Sequence, residues 1–171
     1  MTSEPPRNPP AVTDVFDDRY HDQICFACGD RNEHGLHMRF ALDPDSEDGS
    51  GAIISRYQPR VADQGFPGVL HGGVVVTLMD EAMAWAMWAR SQALGVTAKM
   101  ETRYRRPVPA DMMLFVRAVV TRERGRRLEV AATVSDADGA VLAESDALFL
   151  RLPPEEEARV AAALGWDAIR F

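Results

Sequence analysis

Only two cysteines, Cys25 and Cys28, occur in the 171 residues. They could close at most one tight bridge, which is not how an exported domain of this size is usually stapled. No apolar run has the length of a bilayer span: Val74 to Ala89 covers sixteen residues and is interrupted by Thr77, Asp80 and Glu81. The opening ten residues, with four prolines, Glu4 and Arg7, lack the continuous apolar stretch of an export signal. No internal repeat is present. Base is scarcer than acid, 19 Lys and Arg against 26 Asp and Glu, giving a net charge of -7 and a pI near 5.1. A field of that sign repels polyanions and argues against a general binder of nucleic acid or of anionic membranes. These absences point to a cytoplasmic protein, and 46% hydrophobic content over this length is what one packed domain requires.

The charge is unevenly spread. From Lys99 to Arg127 nine cations face only three acids (Glu101, Asp111, Glu123), so the rest of the chain is correspondingly acidic.

Residues 1–23, rich in Pro and Asp and without periodicity, are expected to form a loosely docked arm. Leu36–Leu42 and Ala52–Tyr57 are strand-like and are separated by an acidic turn, which predicts a hairpin. A loop with Gly65, Pro67 and Gly68 follows. Val74–Ala89 then has thirteen apolar residues in sixteen, rich in Ala, Met, Leu and Trp and free of Gly and Pro. That composition favours a helix, and a helix apolar on nearly every side must be buried on nearly every side. Four further strands are predicted: Thr97–Arg105, Met112–Arg122, Leu128–Asp136 and Val141–Arg151. Their short connections imply antiparallel neighbours. Pro153–Gly165 opens with Pro and three glutamates, a favourable helix start, and places Val160 and Leu164 on one face. The order predicts an α+β fold in which a curled sheet of about six antiparallel strands wraps one long buried helix. One helix cannot cover six strands, so at least a homodimer is expected, with a dimer of dimers also open.

The chemistry centres on the start of the buried helix. Gly72 and Gly73 after His71 let a substrate approach the backbone closely, and the first helical N–H groups have no internal partner. With the helix dipole they make a ready site for a carbonyl oxygen or oxyanion. Asp80 strengthens that reading, because a carboxylate in the middle of an apolar helix is costly unless paired or working. Glu81 points about 100° away from Asp80, so at most one of the two shares a site with the glycine donors of a given subunit; for either, the alternative is an exposed stripe or a buried ion pair with arginine. Gly72 and Asp80 are eight residues apart, about 12 Å along a helix. Both cannot lie about 3 Å from one reacting carbon. A site that uses both needs Asp80 from a second subunit, with two antiparallel helices across a two-fold axis.

Phe66-Pro-Gly-Val-Leu-His-Gly-Gly-Val-Val-Val-Thr-Leu-Met-Asp-Glu-Ala-Met resembles the signature of the PaaI-type branch of hotdog-fold thioesterases. Cys25-Phe-Ala-Cys-Gly with His34-Gly-Leu and Met38-Arg-Phe is similar to the first-strand region of bacterial members, and Tyr104-Arg-Arg-Pro-Val-Pro to the end of the strand after the helix. The resemblance covers about residues 24 to 151 and implies a hotdog domain over residues 24–152, with residues 153–171 as a helical extension. It implies that the Gly72 N–H polarises an acyl-CoA thioester carbonyl, that His71 shapes that hole, and that Asp80 is the catalytic acid, as general base or nucleophile. Thr97 matches a position where a hydroxyl places the water. The family often has Asn six residues before the Gly-Gly histidine; here that place is Gly65, with Gln64 beside it, so Gln64 and Gly73 are read as substrate contacts. The 3′-phosphate and pyrophosphate of coenzyme A suit planar guanidinium groups, and Arg105, Arg106, Arg124 and Arg126 are the candidates.

Cys25, Cys28, His34 and His37 could ligate tetrahedral zinc, but the pair spacing is shorter than in ordinary fingers, and reduced, packed thiols without metal or cofactor are expected. Trp85, Met83, Met87 and Trp88 fit ordinary core at helical spacing, or an acyl pocket. Two other functions use the same fold: an acyl-thioester hydratase, whose histidine motif is not seen, and a non-catalytic acyl-CoA binder, which would not call for Asp80.

Overall fold

The computed structural model describes residues 16–46 and 50–166. Its order is β1 (Phe40–Leu42), β2 (Ile53–Tyr57), β3 (Gln64–Phe66), β4 (Val69–Leu70), α1 (Gly72–Ser91), β5 (Gly95–Tyr104), β6 (Leu114–Arg124), β7 (Arg127–Ser135), β8 (Val141–Arg151) and α2 (Pro154–Leu164). Six strands form one antiparallel sheet in the order β1-β2-β6-β7-β8-β5. α1 packs on its concave face, as expected of an α+β hotdog arrangement. Among the described residues, no helix is long and apolar enough to cross a membrane.

Alternation along the strands explains the layering. In β7 Leu128, Val130, Ala132 and Val134 point inward and are buried, while their neighbours face out. On α1, Val75, Leu78, Met79, Ala82, Met83, Trp85, Ala86, Met87 and Trp88 meet that surface. Burial holds Val74–Val75–Val76 in a helix that β-branched residues do not favour by themselves.

The structure departs from expectation in three places. Residues 36–39 are not part of the first strand; the N–H groups of Leu36 and Met38 donate to the carbonyls of Phe26 and Ala27 instead. The loop before the helix contains the short hairpin β3–β4, closed by Gly68 at φ 77°. The later part of the segment expected as a loosely docked arm, residues 1–23, packs on the core. Residues 1–15 lie outside the described residues, but Phe16, Tyr20 and His21 are buried against the far end of α1, where Trp85, Trp88 and Trp166 join them.

The two outer strands of the sheet are β1 and β5. β5 is ten residues long, and Val96–Lys99 and Arg103–Tyr104 are exposed on it. Beside it, α1 shows a half-exposed stripe through Val76, Thr77 and Asp80. A long uncovered edge next to a partly apolar helix stripe is a surface that folded chains normally cover.

Candidate active site

The segment Arg60–Leu70 sets the position of α1. Asp63 is buried and accepts hydrogen bonds from Tyr57 Oη (2.6 Å), the Arg60 N–H (2.7 Å) and Arg60 Nη2 (2.8 Å). Burial raises the Asp63 carboxyl, but its bonds to Arg60 and Tyr57 outweigh that and hold it below the ordinary range. The Asp63 carbonyl in turn accepts from the His71 N–H at 2.8 Å. Sequence reasoning missed this aspartate, which lies only eight residues before His71.

His71 is the N-cap of α1, at φ -61° and ψ 132°, and its Nδ1 accepts from the Gly73 N–H at 2.9 Å. Nδ1 is therefore the unprotonated nitrogen, and the neutral ring carries its hydrogen on Nε2. The His71 carbonyl takes the N–H groups of Val74 and Val75. Among the described residues the Gly72 N–H has no acceptor, so it is the free donor at the positive end of the helix. Tyr104 Oη donates to the Gly72 carbonyl at 2.7 Å and lies 3.1 Å from where a Cβ on residue 72 would sit.

A cavity of about 620 Å³ opens at this point, lined by Phe66, Leu70, His71, Gly72, Tyr104 and Arg106 among others. Arg105 also lines it and is paired with Glu144, whereas Arg106 has no ion-pair partner among the described residues. Tyr104 and Phe66 were not predicted. Phe66 is 76% exposed, which suits an apolar wall awaiting a ligand or a partner.

Gln64 is not aimed at the cavity. Its Oε1 accepts from the Gly68 N–H at 2.9 Å and closes the β3–β4 turn. A Cβ at Gly65 would lie 3.2 Å from Cα and Cδ2 of His71, so the loop runs close against the imidazole at this position.

Two turns further along α1, Asp80 is half-buried and accepts from Thr97 Oγ1 at 2.6 Å. β5 thus touches the helix at both points: Tyr104 holds Gly72, and Thr97 holds Asp80. Arg124 and Arg126 lie at the other end of the sheet from Arg105. Arg127 is paired with Leu150, which is also opposite Val96, whereas the Arg105 N–H donates to the Leu142 carbonyl. One protomer does not bring all four arginines together.

Met83, Met87, Trp85 and Trp88 are core residues. Glu81 is neither on an exposed stripe nor paired with arginine. It accepts from Trp85 Nε1 at 3.1 Å and lies 3.8 Å from Cys25 Sγ. His34 and His37 are exposed, and the ligand-type atoms that gather are those of Cys25, Cys28 and Glu81, within 4.8 Å of one another.

Residues 67–143 match the model of the family described as the thioesterase superfamily. Among curated proteins, the acyl-coenzyme A thioesterase THEM4 of Mus musculus is 32% identical over 125 residues, 72% of this chain and 53% of that protein. The chain spans about half the length of these curated relatives. Among solved structures, a thioesterase superfamily protein is 26% identical with a TM-score of 0.66, over 82% of this chain and 68% of that one. A conserved protein of Pseudomonas aeruginosa is 29% identical with a TM-score of 0.56, over 60% and 82%.

Proposed function

We propose, for a chain that belongs to the thioesterase superfamily through residues 67–143, that it hydrolyses an acyl-CoA thioester to the free acid and CoA. The observation that carries this reading is the unpartnered Gly72 N–H at the mouth of the cavity, with a carboxylate, Asp80, on the same helix. The name of the THEM4 relative supports the substrate class.

The thioester carbonyl accepts from the Gly72 N–H, where the helix dipole favours the negative charge that grows on oxygen. His71 Nε2–H, on the cavity wall, is a second donor for the same oxygen. Asp80 acts as general base on water or as the nucleophile, with Thr97 fixing one of its oxygens and leaving the other for the reaction.

Asp80 comes from the neighbouring subunit. Thr97 and Tyr104 mark the two ends of the contact between β5 and α1. A two-fold axis near Met100, with β5 pairing antiparallel to its copy, puts Thr97 and Asp80 of one protomer beside Tyr104 and Gly72 of the other. The same axis covers the exposed edge and the half-exposed stripe of α1. It also moves Arg124 and Arg126 of the other protomer toward the end of the sheet where Arg105 and Arg106 sit, so one CoA has phosphate partners from both chains.

A thiol-release assay over short, medium, long and aryl thioesters tests the reaction. Turnover of at least one class is expected, and Asp80→Asn should lower kcat by about 10²-fold or more with Tm unchanged. Unchanged kcat in that variant would remove Asp80 from the chemistry, and no thiol release from any thioester would sink the hydrolase reading.

A further inference from the structure

We propose that Cys25, Cys28 and Glu81 form a zinc site that ties the N-terminal segment to α1, one residue beyond Asp80. The thioesterase reaction as derived above uses none of the three.

The donor set is of the right kind. Two thiolates and a carboxylate are ligands that zinc accepts, and three protein ligands leave the fourth tetrahedral position for water. The three ligand atoms lie within 4.8 Å of one another, and Cys25 Sγ is 3.8 Å from both Glu81 oxygens. Binding would need contractions of well under 1 Å per atom and no change of backbone.

The surroundings are arranged for sulfur that carries charge. Gln23 Nε2 donates to Cys28 Sγ at 3.6 Å. N–H donors aimed at a cysteine sulfur stabilise the thiolate, which is the form that binds metal. The turn that carries both cysteines is closed by the Gly29 N–H on the Cys25 carbonyl at 2.9 Å. It is so tight that a Cβ on residue 29 would lie 2.4 Å from the Gln23 carbonyl oxygen and 2.5 Å from the Cys25 nitrogen. Only glycine fits, so Cys-x-x-Cys-Gly makes a knuckle that holds both sulfurs on one side.

Charge supplies the remaining argument. Glu81 has no arginine or lysine partner among the described residues, and Trp85 satisfies only one of its oxygens. A divalent ion displaces the two thiol protons and neutralises both sulfurs. It also gives Glu81 a reason to stand in an apolar helix.

The test uses the full chain, reduced and stripped of metal, titrated with Co²⁺ and then with Zn²⁺. A thiolate-to-cobalt charge-transfer band should saturate at one ion per chain and vanish when Zn²⁺ is added, and Zn²⁺ should raise Tm. Cys25→Ser and Cys28→Ser should each abolish the band, and Glu81→Gln should weaken cobalt binding at least about tenfold. His34→Ala and His37→Ala should leave it unchanged. No band and no rise in Tm in the folded, unmutated protein would overturn the proposal, whatever the cysteine variants do. So would a band that depends on His34 or His37 and not on Glu81.

Discussion

Gly72 offers a substitution that few oxyanion sites allow. It is the first helical residue, where proline is tolerated because its missing N–H has no intrahelical acceptor to lose. His71 before it is already extended, at ψ 132°, as a residue before proline must be. Gly72→Pro should therefore keep α1 while deleting the backbone donor, one of the two assigned to the thioester oxygen, and kcat should fall by about 10²–10³-fold. Steady-state kinetics beside a helical circular dichroism spectrum would check both halves. Asp63 is a residue of a different kind, acting through the loop that carries His71. Because its folded-state pKa is depressed, it stabilises the fold fully above its unfolded value of about 4, and that contribution is lost as pH falls through the folded value. Asp63→Asn should cost about 2 kcal/mol at neutral pH, with the gap from the parent protein narrowing below about pH 4. Denaturant titrations of both proteins across that range would show it.

At the scale of elements, α1 has two halves with different duties. Its first two turns present Gly72 and Asp80, while its last two turns bind the chain's extensions. Phe16, Tyr20, His21, Phe40 and Trp166 all contact Trp85. Trp85→Ala should lose roughly 3–5 kcal/mol of stability, because both extensions lose their anchor at once. Chemical denaturation measures this directly. β5 has the other notable division of labour: its inner edge pairs with β8 along its whole length, and its side chains at positions 97 and 104 hold the helix. Its outer edge has no strand partner among the described residues. The short β3–β4 hairpin was read as plain loop because its strands are too brief to show alternation, and the Gln64 side chain that closes it does not register as a turn signal.

At the scale of the whole molecule, the proposed two-subunit site makes a prediction that no single-chain site shares. Gly72→Pro and Asp80→Asn should each be inactive as homodimers. In a heterodimer of the two, one site combines an intact Gly72 with an intact Asp80. Unfolding and refolding an equal mixture should thus restore about a quarter of the parent activity, from half the dimers with one of two sites intact. No recovery, with heterodimers demonstrated by differential tagging, would place both residues in one chain's site.

The sequence by itself determined the α+β order, because periodicity of two or of nearly four residues is written into the chain wherever one face is buried. It also determined that Asp80 is out of place in an apolar helix, and that Gly72 and Asp80 lie too far apart along that helix to meet one reacting carbon within one chain. Spacing along a regular helix is fixed by the backbone alone. What only the tertiary structure decided were relations between residues distant in sequence. Thr97 meets Asp80, Tyr104 meets Gly72, Asp63 steadies His71, and Arg105 is separated from Arg124 by the length of the sheet. Glu81 illustrates the difference most sharply. Its neighbours in sequence suggested arginine or solvent, but packing brought it to two cysteines fifty-six and fifty-three positions earlier. Local pattern cannot encode that meeting, because it depends on how the N-terminal segment crosses the helix once the core has closed.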